Sequence, residues 1–534
     1  MRHRVAVAPR LLLPRAPLLL AIPALATVGA ILLPLAYLVV RAAGADSGAW
    51  EVLTLDRTGR LVLDTGVLVA VVVLCAAAIG VPLAWLVVRT DLPGRAFWAV
   101  AAALPLVIPS YVAALVLLGA LGPRGMLQGL LEEPFGIERL PEIYGLPGAA
   151  AALTLSTYPY VFLLTAAGLR NLDPALEEAA RSLGQGRLAT FRRVTFPALR
   201  PSIAAGCLLV ALYVLSDFGV VSLLDYPALT RSIYLQYQAL FDREPAAILS
   251  LVLVCLAVVA LALESRFRRR ARYHRASPGA ARAAVPVALG WWRWPALAFC
   301  SLVVGVFLVL PLAVLVYWSW QAGALELPWD EARNSLVASL LAAGTAVVAV
   351  LPVAFLSQRH PAPWTYGLER TAYTANALPG IVIALSLVFF GARYGGVLYQ
   401  TLPMLVFAYF VRFAPQALAA TSAALRGVDP RVEEAARGLG HGPLSVLFRV
   451  TAPLIRPGLL AGAALVFLSA MKELPATLLL RPIGFDTLAT EIWTATSVAA
   501  YSEAAPPALL LVAASAPFVY VLAARRGADT GHVD

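Results

Sequence analysis

Long apolar runs alternate along the chain with short polar segments, and their length predicts helices that cross a membrane. The first run extends from about Ala16 to Val40. Because it is longer than the apolar core of a signal peptide, roughly 7–15 residues, we interpret it as an uncleaved first helix. Apolar windows of about 20 residues predict eleven further spans, at residues 62–88, 97–121, 147–169, 203–224, 246–264, 295–319, 335–357, 371–391, 397–420, 459–480 and 504–524. The predicted fold class is an all-α polytopic membrane protein of about 12 transmembrane helices.

The composition excludes a soluble protein. Of the 534 residues, 60% are apolar and 13% are charged, whereas soluble domains carry about 25% charged residues. The net charge of +11 comes almost entirely from arginine, because Lys472 is the only lysine. The arginines lie in short clusters between apolar runs, which is typical of cytoplasmic membrane loops rather than of nucleic-acid binding. The four cysteines lie in apolar runs without CxxC or Cys/His spacing, so neither a disulfide framework nor a zinc site is predicted.

Arginine placement predicts the orientation in the membrane. Arginine-rich polar segments alternate with segments that carry acidic residues, such as Glu132, Glu142 and Glu491. We therefore expect cytoplasmic N- and C-termini. Residues 265–294 contain many arginines and no acidic residue, and they are predicted to be a cytoplasmic linker attracted to anionic lipid headgroups; a nucleic-acid-binding arm is the less ordinary alternative.

One polar segment occurs twice. Residues 178–184, Glu-Ala-Ala-Arg-Ser-Leu-Gly, are followed by Pro197, and residues 434–440, Glu-Ala-Ala-Arg-Gly-Leu-Gly, are followed by Pro453 at the same spacing. The offset is 256 residues. We call residues 171–201 the first island and residues 427–457 the second island.

The repeat extends beyond the islands. The same offset relates Ser216-Asp217 to Lys472-Glu473, and further upstream Leu104-Pro105 is paired with Leu378-Pro379 at an offset of 274. The repeat predicts two parallel halves, each with six helices, joined by the linker. Their predicted bounds are residues 1–264, 265–294 for the linker, and 295–534.

Each island is predicted to be a short helix, a glycine turn and a second helix. Asp173-Pro174 and Asp429-Pro430 supply a capping aspartate followed by proline at the first helical position. Gly184 and Gly440 are expected to end the helix in the left-handed conformation. In the first island, Ala179, Ala180 and Leu183 are expected on one helical face and Glu177, Arg181 and Arg187 on a charged one.

A face of small side chains permits close approach by another protein. The alternative is an amphipathic loop that lies on the membrane, but a matched pair of such segments favours two docking points. The candidate docking residues are Glu178, Ala179, Ala180, Gly184 and Pro197, with Glu434, Ala435, Ala436, Gly440 and Pro453 in the second island.

Both islands resemble the EAA motif of bacterial ABC importer permeases, with Val194 and Val450 at its aliphatic position and Phe196 and Ala452 where leucine is usual. The resemblance covers essentially the whole chain as two fused permease domains. It implies that each island is a coupling helix seated in a groove of an ATPase subunit. It also implies two copies of that ATPase, a periplasmic or lipid-anchored substrate-binding protein, a location in the bacterial inner membrane, and no cofactor.

The chain is not expected to hydrolyse ATP or to be an enzyme. A phosphate-binding loop needs Gly-Lys-Ser/Thr, and the only lysine follows Met471. An ion-coupled secondary transporter, which also uses repeated halves and intramembrane charges, is the alternative from another class. The islands favour the permease, because an ion-driven carrier does not need paired ATPase-docking helices.

Ionisable residues within or near the spans are candidates for the translocation path. Asp217, Lys472 and Glu473 are the main ones, and each costs about 2.5–3.5 kcal/mol at the centre of a membrane unless it is paired or hydrated. We expect Asp217 and Glu473, at equivalent repeat positions, to line or gate the path. The alternative is structural pairing with arginines at helix ends.

The substrate is predicted by resemblance alone. Residues 216–219 and 471–490 resemble the iron(III) branch of these permeases, with thiamine, polyamine and sulfate permeases as alternatives. The five histidines fall in predicted loops or tails without ligand spacing, so no metal site is predicted in this chain. Selection of the metal is left to the binding protein.

Overall fold

The computed structural model describes residues 18–53, 55–123, 125–135, 141–239, 244–270, 286–323 and 327–528. These residues are largely helical, and the only extended pairing among them is an isolated bridge between Thr90 and Val287. The helices before the linker are α1 Leu18–Ala43, α2 Ser47–Trp50, α3 Leu55–Arg89, α4 Arg95–Ala101, α5 Ser110–Leu121, α6 Met126–Phe135, α7 Leu146–Arg170, α8 Pro174–Ser182, α9 Arg187–Thr190, α10 Phe196–Ser216, α11 Gly219–Leu223, α12 Leu229–Ala239 and α13 Glu244–Arg270. Those after it are α14 Arg293–Val304, α15 Leu310–Gln321, α16 Trp329–Arg359, α17 Pro363–Tyr373, α18 Gly380–Phe390, α19 Leu402–Arg426, α20 Pro430–Gly438, α21 Pro443–Val446, α22 Ala452–Met471, α23 Pro475–Leu480, α24 Leu488–Ser497 and α25 Tyr501–Ala528.

The helices confirm the predicted fold class. In the described part of the chain, eleven helical segments are long and apolar enough to cross a membrane. The predicted twelfth span, residues 504–524, falls on α25, whose side chains are described only up to residue 517. The predicted cytoplasmic termini and half of the linker, residues 271–285, lie outside the described residues.

Several predicted spans are broken rather than continuous. The predicted span 97–121 consists of α4, a 3-10 turn at Leu104–Val107 and then α5. The residue before Pro109, Ile108, is extended (ψ 114°), because a proline ring disfavours helical backbone in the preceding residue, and α5 begins directly after Pro109. The predicted spans 203–224 and 459–480 are likewise interrupted, after Ser216 and after Met471. These two breaks place Asp217 and Glu473 in non-helical backbone.

Contacts divide the described chain into two compact units, each built from both halves of the sequence. The first unit comprises Met1–Tyr37, Leu336–Asn376 and Phe389–Met471. Within it, α19 packs against α22 and α17. The N-terminal helix joins this unit: Thr27 donates a hydrogen bond to the carbonyl oxygen of Ala349 (2.8 Å), and the Tyr37 ring lies 5.5 Å from that of Phe390.

The second unit comprises Leu38–Ser335, Ala377–Val388 and Lys472–Asp534. Its core is formed by α3, α7 and α10, with α13 packed against α10 and α25 packed against α15 and α24. Tyr158 and Phe162 of α7 are almost completely buried there. The Trp318 indole donates to the carbonyl oxygen of Gly119 (3.0 Å), which joins α15 to α5 within the unit.

The helix bounds correct the upstream alignment of the repeat. The helix α18 begins at Gly380 directly after Pro379, as α5 begins at Ser110 directly after Pro109. The offset is therefore 270 residues rather than 274, and Leu378-Pro379 corresponds to Ile108-Pro109 instead of Leu104-Pro105. Pro105 instead lies within the 3-10 turn. The α3 and α16 helices also end 270 residues apart, at Arg89 and Arg359.

Candidate functional site

Each island contains the predicted short helix, which is nine residues long and capped at both ends. The Asp173 carboxylate accepts a hydrogen bond from the Ala175 N–H, and the Asp429 carboxylate accepts one from the Arg431 N–H, each at 3.0 Å. Proline occupies the first helical position in both, where its missing N–H has no helical partner to lose.

Glycine ends both island helices in the left-handed conformation, as predicted. The φ angle is +82° at Gly184 and +89° at Gly440. In the first island the Gly184 N–H donates to the Arg181 carbonyl and the Gln185 N–H donates to the Ala180 carbonyl, the pair of hydrogen bonds that defines a Schellman turn. The second island repeats both bonds.

The helix that follows each turn contains a short π-helical segment, Phe191–Thr195 and Leu447–Thr451. Each segment ends two residues before the island proline, Pro197 or Pro453. Because proline cannot donate to the carbonyl four residues earlier, the wider π turn accommodates it without ending the helix. The chain thus leaves each island as one helix that continues as α10 or α22.

Each island helix exposes apolar side chains beside its charged ones. Leu176, Ala179 and Leu183 are exposed in the first island, and Leu183 and its counterpart Leu439 are each 82% exposed. The face differs from the predicted one, because Ala180 is buried at 6% exposure while Ala179 points outward. Adjacent residues on a helix point about 100° apart, because one turn takes 3.6 residues. Ala179 and Ala180 therefore lie on different faces.

The other predicted docking residues lie mostly on the surface. Glu178, Gly184, Glu434, Ala435, Gly440 and Pro453 are exposed, Pro197 is half-buried, and Ala436 is buried at 8% exposure. Each island helix therefore presents a carboxylate, a small side chain and a leucine toward the outside, while its second motif alanine packs inward.

Glu177 lies on the same side of the island helix as Arg181, but its side chain is only 12% exposed. Its carboxylate accepts a hydrogen bond from Arg89 (3.1 Å) and another from Thr195 (2.7 Å). In the second island Glu433, 2% exposed, pairs with Arg359 at 2.8 Å. The sequence contained a signal for these pairs, since Arg89 and Arg359 end matched helices, but periodicity alone does not reveal a partner so far away in the chain.

Asp217 lies at the break after α10 and is 7% exposed. One carboxylate oxygen accepts a hydrogen bond from the Ser110 hydroxyl (2.5 Å), and the other accepts one from the Val220 N–H (2.9 Å). Ser110 begins α5 at the break formed by Pro109. Two helix breaks are thus joined by a buried carboxylate and a hydroxyl.

At the equivalent point of the second half, glutamate replaces the aspartate and glycine replaces the serine. Glu473 is 8% exposed, and a Cβ built on Gly380 would lie 2.6 Å from its Oε1 atom. Glu473 and Gly380 correspond to Asp217 and Ser110 by the repeat. The longer side chain of glutamate thus places a carboxylate oxygen where the serine side chain lies in the first half.

Lys472, next to Glu473 in the chain, contacts the turn that precedes Ser110. Its ammonium group donates to the carbonyl oxygen of Leu106, 2.7 Å away in the 3-10 turn before α5. A Cβ built on Gly219 would lie 3.4 Å from the Leu474 side chain. The breaks that carry Asp217 and Glu473 therefore lie together within the second unit.

Acidic side chains also gather around α24 in the second unit. Burial raises the pKa of Glu491, and the negative charges of Glu331 and Glu503 raise it further, against the positive charge of Arg481. Arg481 forms an ion pair with Asp486. Among the described residues, no group of three His, Cys, Asp or Glu side chains is arranged to hold a metal ion.

Repeated membrane helices, each half carrying one capped polar island and one buried acid at a helix break, define a multi-pass transport subunit. The chain belongs to the family of binding-protein-dependent transport system inner membrane components, whose model matches residues 76–273 and 350–525. The two matches confirm the predicted permease with two fused domains. Members of this family are ABC importer permeases, which are transport components rather than enzymes and which act with an ATPase and a substrate-binding protein.

Individual relatives agree with the family assignment. The chain is 33% identical to an Fe(3+)-transport system permease protein of Haemophilus influenzae, over 92% of this chain and 95% of the relative. It is 25% identical to a ferric transport system permease protein of Actinobacillus pleuropneumoniae, over 73% of this chain and 60% of that protein. The molybdenum transport system permease protein of Escherichia coli is 32% identical over 38% of this chain and 89% of its own length.

Proposed function

We propose that this chain supplies both membrane halves of an ATP-driven importer that moves iron(III) from the periplasm to the cytoplasm by alternating access. The observation that carries the proposal is the presence of two capped islands with matching exposed apolar side chains on one chain. In this proposal one ATPase subunit docks on each island, and no second permease subunit is needed. The islands, the linker and both termini lie on the cytoplasmic side.

The exposed leucines supply a reason for docking. Leu183 and Leu439 are each 82% exposed, and burial of a leucine side chain contributes about 1.5–3 kcal/mol. The outward alanines, Ala179 and Ala435, allow an ATPase groove to approach the helix backbone closely. Glu178 and Glu434 add a charge that orients the partner.

The two acids at the helix breaks are proposed to line or gate the path. Asp217 and Glu473 are nearly buried and lie within one compact unit. Asp217 is hydrogen-bonded to Ser110 at the start of α5, and Glu473 lies against Gly380 at the start of α18. Movement of either helix would change how far the carboxylate is exposed. Lys472, bonded to the Leu106 carbonyl, is proposed to neutralise part of this negative charge.

Iron(III) is favoured by the relatives that match most of the chain. The relative covered over 95% of its length bears the name of an Fe(3+) permease, whereas the molybdenum permease matches only 38% of this chain. An oxyanion importer of the same architecture is the second candidate, because permeases named for molybdenum and sulfate match 38% and 41% of this chain. A periplasmic or lipid-anchored binding protein would deliver the substrate.

The substrate proposal is tested by reconstitution. The full chain, purified with its ATPase, is placed in liposomes with ATP inside and the binding protein outside. We expect ATP-dependent accumulation of ⁵⁵Fe(III) and no accumulation of molybdate or sulfate. Accumulation of an oxyanion without iron would transfer the assignment to the second candidate.

A further inference from the structure

A buried ion pair connects each island helix to a membrane helix that is distant in the chain. Arg89 at the end of α3 pairs with Glu177 at 3.1 Å, and Arg359 at the end of α16 pairs with Glu433 at 2.8 Å. We infer that these two pairs transmit the displacement of each island to α3 and to α16. The inference rests on the proposed function and assigns a positioning role to four residues outside the docking motif.

The two pairs are equivalent by the repeat and are shielded from water. The side chains of Arg89 and Glu177 are 6% and 12% exposed, and those of Arg359 and Glu433 are 8% and 2% exposed. Water and salt weaken such pairs far less than surface pairs. By contrast, Arg181 reaches Glu177 only at 4.0 Å and is 45% exposed, so it is a surface partner of the same carboxylate.

The second pair joins three elements. Arg359 donates through Nε to Glu433, and its terminal nitrogen donates to the carbonyl oxygens of Leu425 (3.1 Å) and Val428 (3.0 Å). One guanidinium thus ties the end of α16 to the end of α19 and to the island helix α20. The planar guanidinium can donate these three hydrogen bonds at once, and a lysine ammonium on a flexible stem does so less well.

The first pair is reinforced on both sides. Glu177 also accepts a hydrogen bond from Thr195, which lies in the π-helical segment before α10. On the other side, the Arg89 carbonyl accepts a hydrogen bond from the Val287 N–H (2.8 Å), and Asp91 accepts one from the Leu289 N–H (2.8 Å). The end of α3 is therefore held between the island and the segment that enters the second half.

The packing of the islands explains why these pairs matter for motion. The α8 helix packs mainly on the helical segment that follows it, and α20 does the same. That segment continues into α10 or α22, so a displaced island pulls one membrane helix through the backbone. The ion pair adds a second connection, to α3 or α16, and α3 packs extensively against α7 in the core of its unit. A cation at a helix C-terminus also stabilises that helix by itself, and the test must separate this role from transmission.

The test measures substrate transported per ATP hydrolysed by the full chain with its ATPase in liposomes. The variants are Glu177→Gln and Glu433→Gln, singly and together, and the matched control is Arg181→Gln with Arg437→Gln, which removes only the surface partners. We expect the Gln variants to bind ATPase and hydrolyse ATP while transport per ATP falls at least fivefold in the double variant. The control should keep the wild-type ratio.

Two results would overturn the inference. One is a wild-type ratio in the double variant. The other is loss of bound ATPase in proportion to the loss of transport, which would make the pairs part of docking. If the Gln variants do not accumulate in the membrane, Glu177→Asp and Glu433→Asp keep the charge but shorten the connection. An unchanged ratio in those variants overturns the inference equally, whereas absence of ATPase from the wild-type complex would contradict the proposed function instead.

Discussion

The pair Gly380 and Glu473 of the second half should be convertible into the serine and aspartate of the first half only if both residues are replaced together. A Cβ at position 380 would lie 2.6 Å from the Glu473 carboxylate, so Gly380→Ser forces that carboxylate to move by roughly 1 Å in a packed environment. Because the clashing atom is the free end of a flexible side chain, the cost lies at the low end of overpacking, about 1 kcal/mol. Adding Glu473→Asp withdraws the carboxylate by one methylene and recreates the combination of serine and aspartate found at Ser110 and Asp217.

The assay is thermal unfolding of the purified chain in one detergent at fixed pH. We expect Gly380→Ser to lower the apparent melting temperature, and Glu473→Asp to recover most of the loss when added to it. As the matched control, Gly344→Ser introduces the same side chain at a glycine with no neighbour within 4 Å of its Cβ position. A Gly380→Ser variant as stable as the wild type, or a double variant less stable than the single one, would refute the compensation between the halves.

Three further outcomes are expected. Gly184→Val places a β-branched side chain at φ +82°, which costs about 1–2 kcal/mol, and it should reduce the ATPase bound per chain. The control Gly186→Val should not reduce it, because the φ of Gly186 is not positive. Asp429→Ala removes a helix cap worth about 1 kcal/mol, and limited proteolysis should cut the second island roughly fivefold faster. Asp217→Asn combined with Glu473→Gln should abolish most uptake in an assembled complex, and unchanged uptake would exclude both acids from the path.

The overall architecture was predictable because its signals are local. Apolar windows identified the membrane helices, and the capping aspartates and left-handed glycines of the islands follow from chemistry within a few residues. The matched spacing of Gly184 and Gly440 already implied two equivalent polar helices.

The inward side of the islands was not predictable in the same way. The sequence of a nine-residue helix with several charged residues does not show which charged side chain is buried, because that depends on a partner distant in the chain. The partner of Glu177 is Arg89, which lies in another helix. The helix breaks were missed for a related reason: the residues around Asp217 and Glu473 are apolar enough to read as continuous spans. The upstream repeat was misaligned because Leu-Pro also occurs inside the 3-10 turn at Leu104–Val107.

The central claim is that one chain carries two ATPase-docking islands, and the stoichiometry of the purified complex tests it most directly. Native mass spectrometry of the chain purified with its ATPase should give two ATPase subunits per chain. Leu183→Asp combined with Leu439→Asp should remove both, whereas Ile483→Asp, at a 92% exposed position outside the islands, should retain both. A wild-type complex with fewer than two ATPase subunits, or a double variant that keeps them, would contradict the account.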